Sequence, residues 1–168
     1  MSTAPTTSVS QILREAQLLS AEPSVGASVA ILPMGSEHPE GYQVLEVING
    51  SFNIDQFSEG ECVEILAPNL LNLVEFSSLN AVISKVLSKL RAGGTLVIGG
   101  TDANMLARAI INNTVNLESL NQHIYNTASI TDLQTSVGFL KSLGLKIISA
   151  NYNGLTYEIK SQSAVISD

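Results

Sequence analysis

Two histidines, one cysteine and one glycine-containing loop carry most of the chemistry open to this chain. His38 lies in Pro33–Gly41, PMGSEHPEG, between Glu37 and Glu40. An imidazole flanked by carboxylates supplies metal-ligand types, but a metal site needs ligands that converge, and neighbours in sequence do not establish that. His123 follows Leu120 and precedes Ile124 on a predicted helix, which assigns it to a surface or interface. Cys62 is alone, so neither an internal disulfide nor a multi-cysteine metal centre can form. Its apolar run, CVEIL, makes it a buried small hydrophobe rather than a nucleophile. No GxSxG elbow and no GxxxxGK[ST] phosphate loop occurs. Backbone N–H groups in the 33–41 loop offer a place for a carboxylate or hydroxyl. Asp102 follows the run TLVIGG at the edge where an open sheet binds ligands, yet it is equally placed to cap the next helix, and capping is the favoured reading.

The elements that must position these groups alternate between strand and helix patterns. Ser8 or Ser10 caps a predicted helix over 10–20, with Ile12, Leu13, Ala16 and Leu19 on one face. Strands are predicted at Ala27–Leu32, Tyr42–Ile48 and Glu61–Leu66, the last stopped by Pro68, with a brief strand within Phe52–Phe57. A helix over 78–91 follows from Leu79, Val82, Ile83, Val86, Leu87 and Leu90 at spacings of three and four, and Gly93–Gly94 should end it. Thr95–Ile98 lacks polar alternation and suits a strand covered on both faces. Asp102 then opens a helix with Met105, Leu106, Ala109 and Ile110 inward. Leu117, Leu120 and Ile124 mark another. Asp132 opens a third, carrying Leu133, Val137, Leu140 and Leu143 and ended by Gly144. Lys146–Ala150 and Leu155–Lys160 flank an Asn153–Gly154 turn too short for a parallel crossover, so they form an antiparallel pair. The organisation expected is a loose arm at 1–9, one α/β domain at 10–160 and a tail at 161–168.

The chain has 168 residues, 45% of them hydrophobic and 14% charged, which suits one globular domain with a real core. Net charge is −7, and its distribution matters more than its size. Arg14 is the last base before Lys85, and ten carboxylates lie between them. That half would repel a phosphate backbone, so direct nucleic-acid binding is not expected. No apolar run reaches membrane-spanning length and none follows a basic N-terminus, so no membrane partner is expected, and the cytoplasm is the expected location.

The segment KVLSKLRAGGTLVIGGTDANMLARAI, residues 85–110, resembles the late core of class I S-adenosylmethionine-dependent methyltransferases. There a helix ends in a leucine–lysine–proline–glycine–glycine turn, followed by an apolar strand and an aspartate; here the turn is Leu90–Arg91–Ala92–Gly93–Gly94. The terminal strand–turn–strand is similar to that family's antiparallel hairpin. The resemblance covers residues 27–160 and is specific only over 85–102. It implies a Rossmann-like mixed sheet, mostly parallel with a C-terminal antiparallel hairpin and helices on both faces. It also implies S-adenosylmethionine at the C-terminal strand ends, where open sheets bind ligands in general. On this resemblance Gly35 and Ser36 would cradle the nucleoside, Glu46 would accept the ribose hydroxyls, and Glu64–Ala67 would floor the methionine end, with Ala67 in contact. Leu73–Val74–Glu75–Phe76 would lie beside the cofactor, with Phe76 where the family often has a histidine.

The first loop departs from the family's tightly spaced glycines: Met34, Glu37 and Pro39 stand between and beside Gly35 and Gly41. Side chains there obstruct close backbone approach. Two functions follow. One is methyl transfer, which relies on placing donor and acceptor more than on a strong base. The other is a degenerate methyltransferase-like fold kept as an interaction or assembly module, with protein partners or self-association, of which a viral-particle component, located within the particle, is one version. The Asn- and Thr-rich segment 112–131, with Leu117 and Ile130, is the expected contact surface. A nicotinamide-dependent oxidoreductase fits less well, because its fingerprint glycines are missing too.

Overall fold

A computed structural model describes residues 25–164; the expected arm, the helix predicted at 10–20 and the last four residues lie outside them. Six strands form one sheet: β1 (Ala27–Pro33), β2 (Gln43–Val47), β3 (Cys62–Ala67), β4 (Leu90–Thr101), β5 (Lys146–Asn153) and β6 (Thr156–Gln162). Their order is β2-β1-β3-β4-β6-β5. The first four are mutually parallel, and β6 runs antiparallel to both β4 and β5. The helices are α1 (Leu70–Leu73), α2 (Leu79–Lys89), α3 (Ala103–Ile111), α4 (Leu117–Tyr125) and α5 (Leu133–Ser142). This is the mixed, mostly parallel Rossmann-like sheet with a C-terminal antiparallel pair and flanking helices that the resemblance implies. No described helix is long and apolar enough to cross a membrane.

Register places the core. Ile31 lies beside Leu45, Val29 beside Ile65, Ile65 beside Leu96, and Ile98 beside Ile159. These residues share one face, where Leu79, Ile83 and Val86 of α2 and Leu140 of α5 join the same buried cluster. Each such aliphatic side chain contributes about 1.5–3 kcal/mol through burial. Cys62 belongs to this cluster, and burial raises its thiol pKa, as expected of a packing residue.

Several expectations need correction. Phe52–Phe57 holds no strand but a single 3₁₀ turn at Ile54–Gln56. Ile54 and Phe57, three residues apart, both point into the core, and the Phe57 N–H donates to the Ile54 carbonyl. Gly93–Gly94 does not end the helix. The helix stops at Lys89 because Leu90 turns extended and pairs with Cys62. Arg91–Gly94 then makes an excursion opposite Val63 before pairing resumes between Thr95 and Glu64. Ile110 does not face inward; it is 43% exposed, while Leu106 and Ala109 are buried. β6 runs to Gln162, two residues past its predicted end.

Asp102 and Asp132 do cap helices. Asp102 accepts the Met105 N–H at 2.9 Å, and Asp132 accepts the Thr135 N–H at 2.8 Å. The hydrogen bonds from Thr135 hold the Asp132 carboxyl below the usual carboxylate range.

Candidate functional site

The parallel strands β1, β3 and β4 end along one edge, at Pro33, Ala67 and Thr101. The chain leaves β1 sideways to β2 and returns to β3 on the other side, so this edge contains the switch point where open sheets receive ligands. A cleft of about 420 Å³ lies there. Pro33, Asn69 and Asn72 line it together with Ser119 and His123 of α4 and Asn126, which caps the end of that helix. The lining offers amides, hydroxyls and one imidazole, without a carboxylate or a lysine or arginine. Such a surface can hydrogen-bond a neutral polar group.

A hydrogen-bonded chain links two of the lining residues, Asn72 and His123, through the buried Thr101. The buried Thr101 donates its N–H to Asn72 Oδ1 at 2.8 Å, and Asn72 Nδ2 donates back to Thr101 Oγ1 at 3.0 Å. His123 Nε2 lies 2.7 Å from the same hydroxyl. Asn72 also accepts the Ala128 N–H on its carbonyl, and the Thr127 hydroxyl donates to the His123 carbonyl. Asn72 and Thr101 were not singled out by the sequence, and His123, assigned there to a surface or interface, is half-buried. The partners of Thr101 stand 29 and 22 residues away, so no local motif announces them.

The four residues assigned to a cofactor fall as follows. Gly35 is exposed in a left-handed conformation, φ +80°, and its N–H donates to Glu46 Oε1 at 3.2 Å. The Ser36 N–H donates to the Pro33 carbonyl at 3.1 Å. His38 Nε2 stands 3.9 Å from Glu46 Oε1. The structure thus brings Gly35, Ser36 and Glu46 together at the ends of β1 and β2, with the Ser36 N–H bonded within the turn and the Gly35 N–H bonded to the Glu46 side chain of β2. Ala67 is fully buried and followed by Pro68, which has no N–H. Leu66 pairs with Ala30, so Ala67 lies level with Ile31, two residues short of the end of β1. Phe76 is 70% exposed in the turn before α2. Among the described residues, no three His, Cys, Asp or Glu side chains converge on a metal position.

One further contact crosses the sheet at its other end, where the parallel strands begin and Glu64 pairs with Ser28 and Gln43 with Val29. β1 lies between β2 and β3, and Tyr42, just before β2, reaches over it to donate its hydroxyl to Glu64 Oε2 at 2.7 Å. That hydrogen bond, then burial, then the Glu64 charge push the Tyr42 phenol up to about 12. A raised phenol pKa makes the contribution of this bond complete below pH ~10 and lost as pH rises through ~12. Ultraviolet titration of the four tyrosines should show a late-ionising phenol that moves back toward pH ~10 in Glu64→Gln. Titration curves identical in the two proteins would refute the assignment.

No protein-family model matches the chain, and no curated protein matches it. Solved structures do. A SAM-dependent methyltransferase from Archaeoglobus fulgidus is 12% identical with a TM-score of 0.52, over 91% of this chain and 94% of that one. An O-methyltransferase family protein from Burkholderia thailandensis is 16% identical with a TM-score of 0.55, over 91% and 48%. The CurJ carbon methyltransferase is 16% identical with a TM-score of 0.50, over 93% and 53%. The chain therefore spans about half the length of the latter two. Likeness at these identities speaks to architecture alone: the chain has the class I S-adenosylmethionine-dependent methyltransferase-like fold.

Proposed function

We propose that this chain uses the methyltransferase-like fold as a non-catalytic interaction module within an assembly. The observation that carries the reading is the first crossover. β1 and β2 are joined by Met34–Tyr42, nine residues without a helix. Parallel strands are ordinarily joined by a dozen or more residues, most often through a helix. The start of that helix is where a glycine turn presents N–H groups to a nucleotide. Here no helix follows the turn, and the Gly35 and Ser36 N–H groups bond to Glu46 and Pro33 instead. A nucleoside would have to break both bonds and pass Met34 and Glu37 to reach the backbone. On this reading the cofactor does not fit the turn.

Calorimetric titration of the full chain with S-adenosylmethionine and S-adenosylhomocysteine tests the reading. No binding heat at millimolar ligand is expected. Micromolar binding that Glu46→Ala weakens would overturn it. A second reading, methyl transfer from S-adenosylmethionine, is favoured by one observation, the polar cleft of about 420 Å³ at the switch point. The same titration separates the two.

A further inference from the structure

A second cleft, of about 170 Å³, opens between α2 and α5 and shares no lining residue with the one at the switch point. Leu71, Leu79, Ile83 and Ser136 line it and are buried, so they set its floor. Phe76 and Thr135 line it and are exposed, so they set its mouth. A void of about 20 Å³ continues from the same Leu71, Ile83 and Ser136 to Ile98 of β4. Interiors are normally packed without such gaps, because the lining atoms lose their dispersion contacts. The phenyl ring of Phe76 stands 70% exposed at the mouth.

The floor is mostly apolar but carries one uncommitted donor. The hydroxyl of the buried Tyr157 lies 2.5 Å from Ser136 Oγ and 2.5 Å from Thr131 Oγ1. Ser136 and Thr131 both line the cleft, and neither hydroxyl has another partner among the described residues. Each hydroxyl brings one proton and each contact uses one, so three hydroxyls and two contacts leave one proton over. If both neighbours donated to Tyr157, its own proton would be stranded in the interior, which is costly. The chain therefore runs in one direction, and the spare proton sits on Thr131 or Ser136.

We propose that this cleft binds a small neutral aromatic molecule bearing one oxygen acceptor, such as an aryl ketone. The volume fits: an engineered apolar cavity of about 150 Å³ binds benzene, so 170 Å³ takes one ring and a short substituent. The lining sets the charge. No ionisable side chain lines the cleft, so a charged ligand would lose its water and gain no partner. Phe76 and Phe139 offer ring faces and edges to a flat ligand. The spare O–H selects an acceptor on that ligand. The site goes beyond the interaction-module reading and holds whether or not the turn after β1 admits a nucleoside.

Acetophenone is the probe, followed by backbone amide NMR of the ¹⁵N-labelled full chain. Titrated to about 10 mM, it should shift the Ile83, Ser136 and Phe139 resonances saturably and leave those of Gly35 and His123 in place. Ethylbenzene, the same ring without the oxygen, should bind about threefold or more weakly, the effect of losing one neutral hydrogen bond. Benzoate should not bind. Ile83→Phe fills the cleft and should abolish the acetophenone shifts, with circular dichroism checking that it folds. The proposal is overturned if wild-type resonances show no saturable shift, or if the shifts map away from this cleft. It is also overturned if ethylbenzene or benzoate binds as tightly as acetophenone, or if a folded Ile83→Phe binds unchanged. Should that variant not fold, the wild-type map and the three ligands decide the matter alone.

Discussion

Gly99→Ala should lower stability by about 3 kcal/mol, at the upper end of what overpacking usually costs. Gly99 sits in β4, paired with Glu158 of β6. A Cβ there would collide with the carbonyl oxygen of Tyr157 and stand 2.6 Å from that of Pro68. Both obstacles are backbone. A flexible side chain can rotate away, whereas here either β6 or the turn after β3 must move. Gly138 provides the control. It lies in α5 with nothing within 4 Å of an added Cβ, so Gly138→Ala should stabilise by about 0.5–1 kcal/mol through helix propensity. Urea midpoints of the two variants should therefore move in opposite directions. Equal midpoints for Gly99→Ala and the wild type would refute the close packing of the VIGG strand end.

The second large effect belongs to Asp102. It is fully buried, and each carboxylate oxygen accepts a different backbone N–H at 2.9 Å: Met105 on Oδ1 and Leu133 on Oδ2. One side chain thus opens α3 and also holds the start of α5. Around it the Asp102 N–H donates to Leu155, and the Ala103 N–H donates to Thr131. Asp102→Ala loses a cap, worth about 1 kcal/mol, and leaves a second N–H unpaired in the interior, which costs about 1–3 kcal/mol more. The expected total is about 3 kcal/mol. Asp102→Asn keeps an acceptor for Met105 but turns an NH₂ toward Leu133, so it should fall between Ala and wild type. Denaturant curves that rank Asn with wild type would mean the Leu133 bond contributes nothing.

Asp102 also shows where sequence reading stops. Its bond to Met105 spans three residues, and the sequence predicts it. Its bond to Leu133 spans 31 residues and has no local signature. The same divide runs through the molecule. α2 is legible because a stripe at spacings of three and four must bury itself, and Leu79, Ile83 and Val86 do so. The closing hairpin is legible because Asn153–Gly154 leaves no room for a crossover. The Asn72–Thr101–His123 chain is not, since it joins three elements through the sheet edge.

α4 was half legible. The spacing of Leu117, Leu120 and Ile124 identifies a helix, and periodicity alone then implies that these residues face inward. A polar stripe of Ser119, Gln122, His123 and Asn126 has the same period and lines the cleft, and in the structure Leu120 and His123 are half-buried while Leu117 and Ile124 are exposed. Two stripes of equal period leave the direction undecided. The first crossover was legible as a loop from its prolines and glycines. That its Gly35 N–H would meet Glu46, eleven residues on, depends on the parallel pairing of β1 with β2, which sets Glu46 beside Leu32.

The proposed function requires that the turn after β1, whose Gly35 and Ser36 N–H groups bond to Glu46 and Pro33, does not receive a nucleoside. Backbone amide NMR of the uniformly ¹⁵N-labelled full chain tests this at the residues concerned. Adding millimolar S-adenosylhomocysteine should leave the Gly35 and Ser36 amide resonances where they are. Saturable shifts of those two resonances, abolished by Glu46→Ala, would contradict the account.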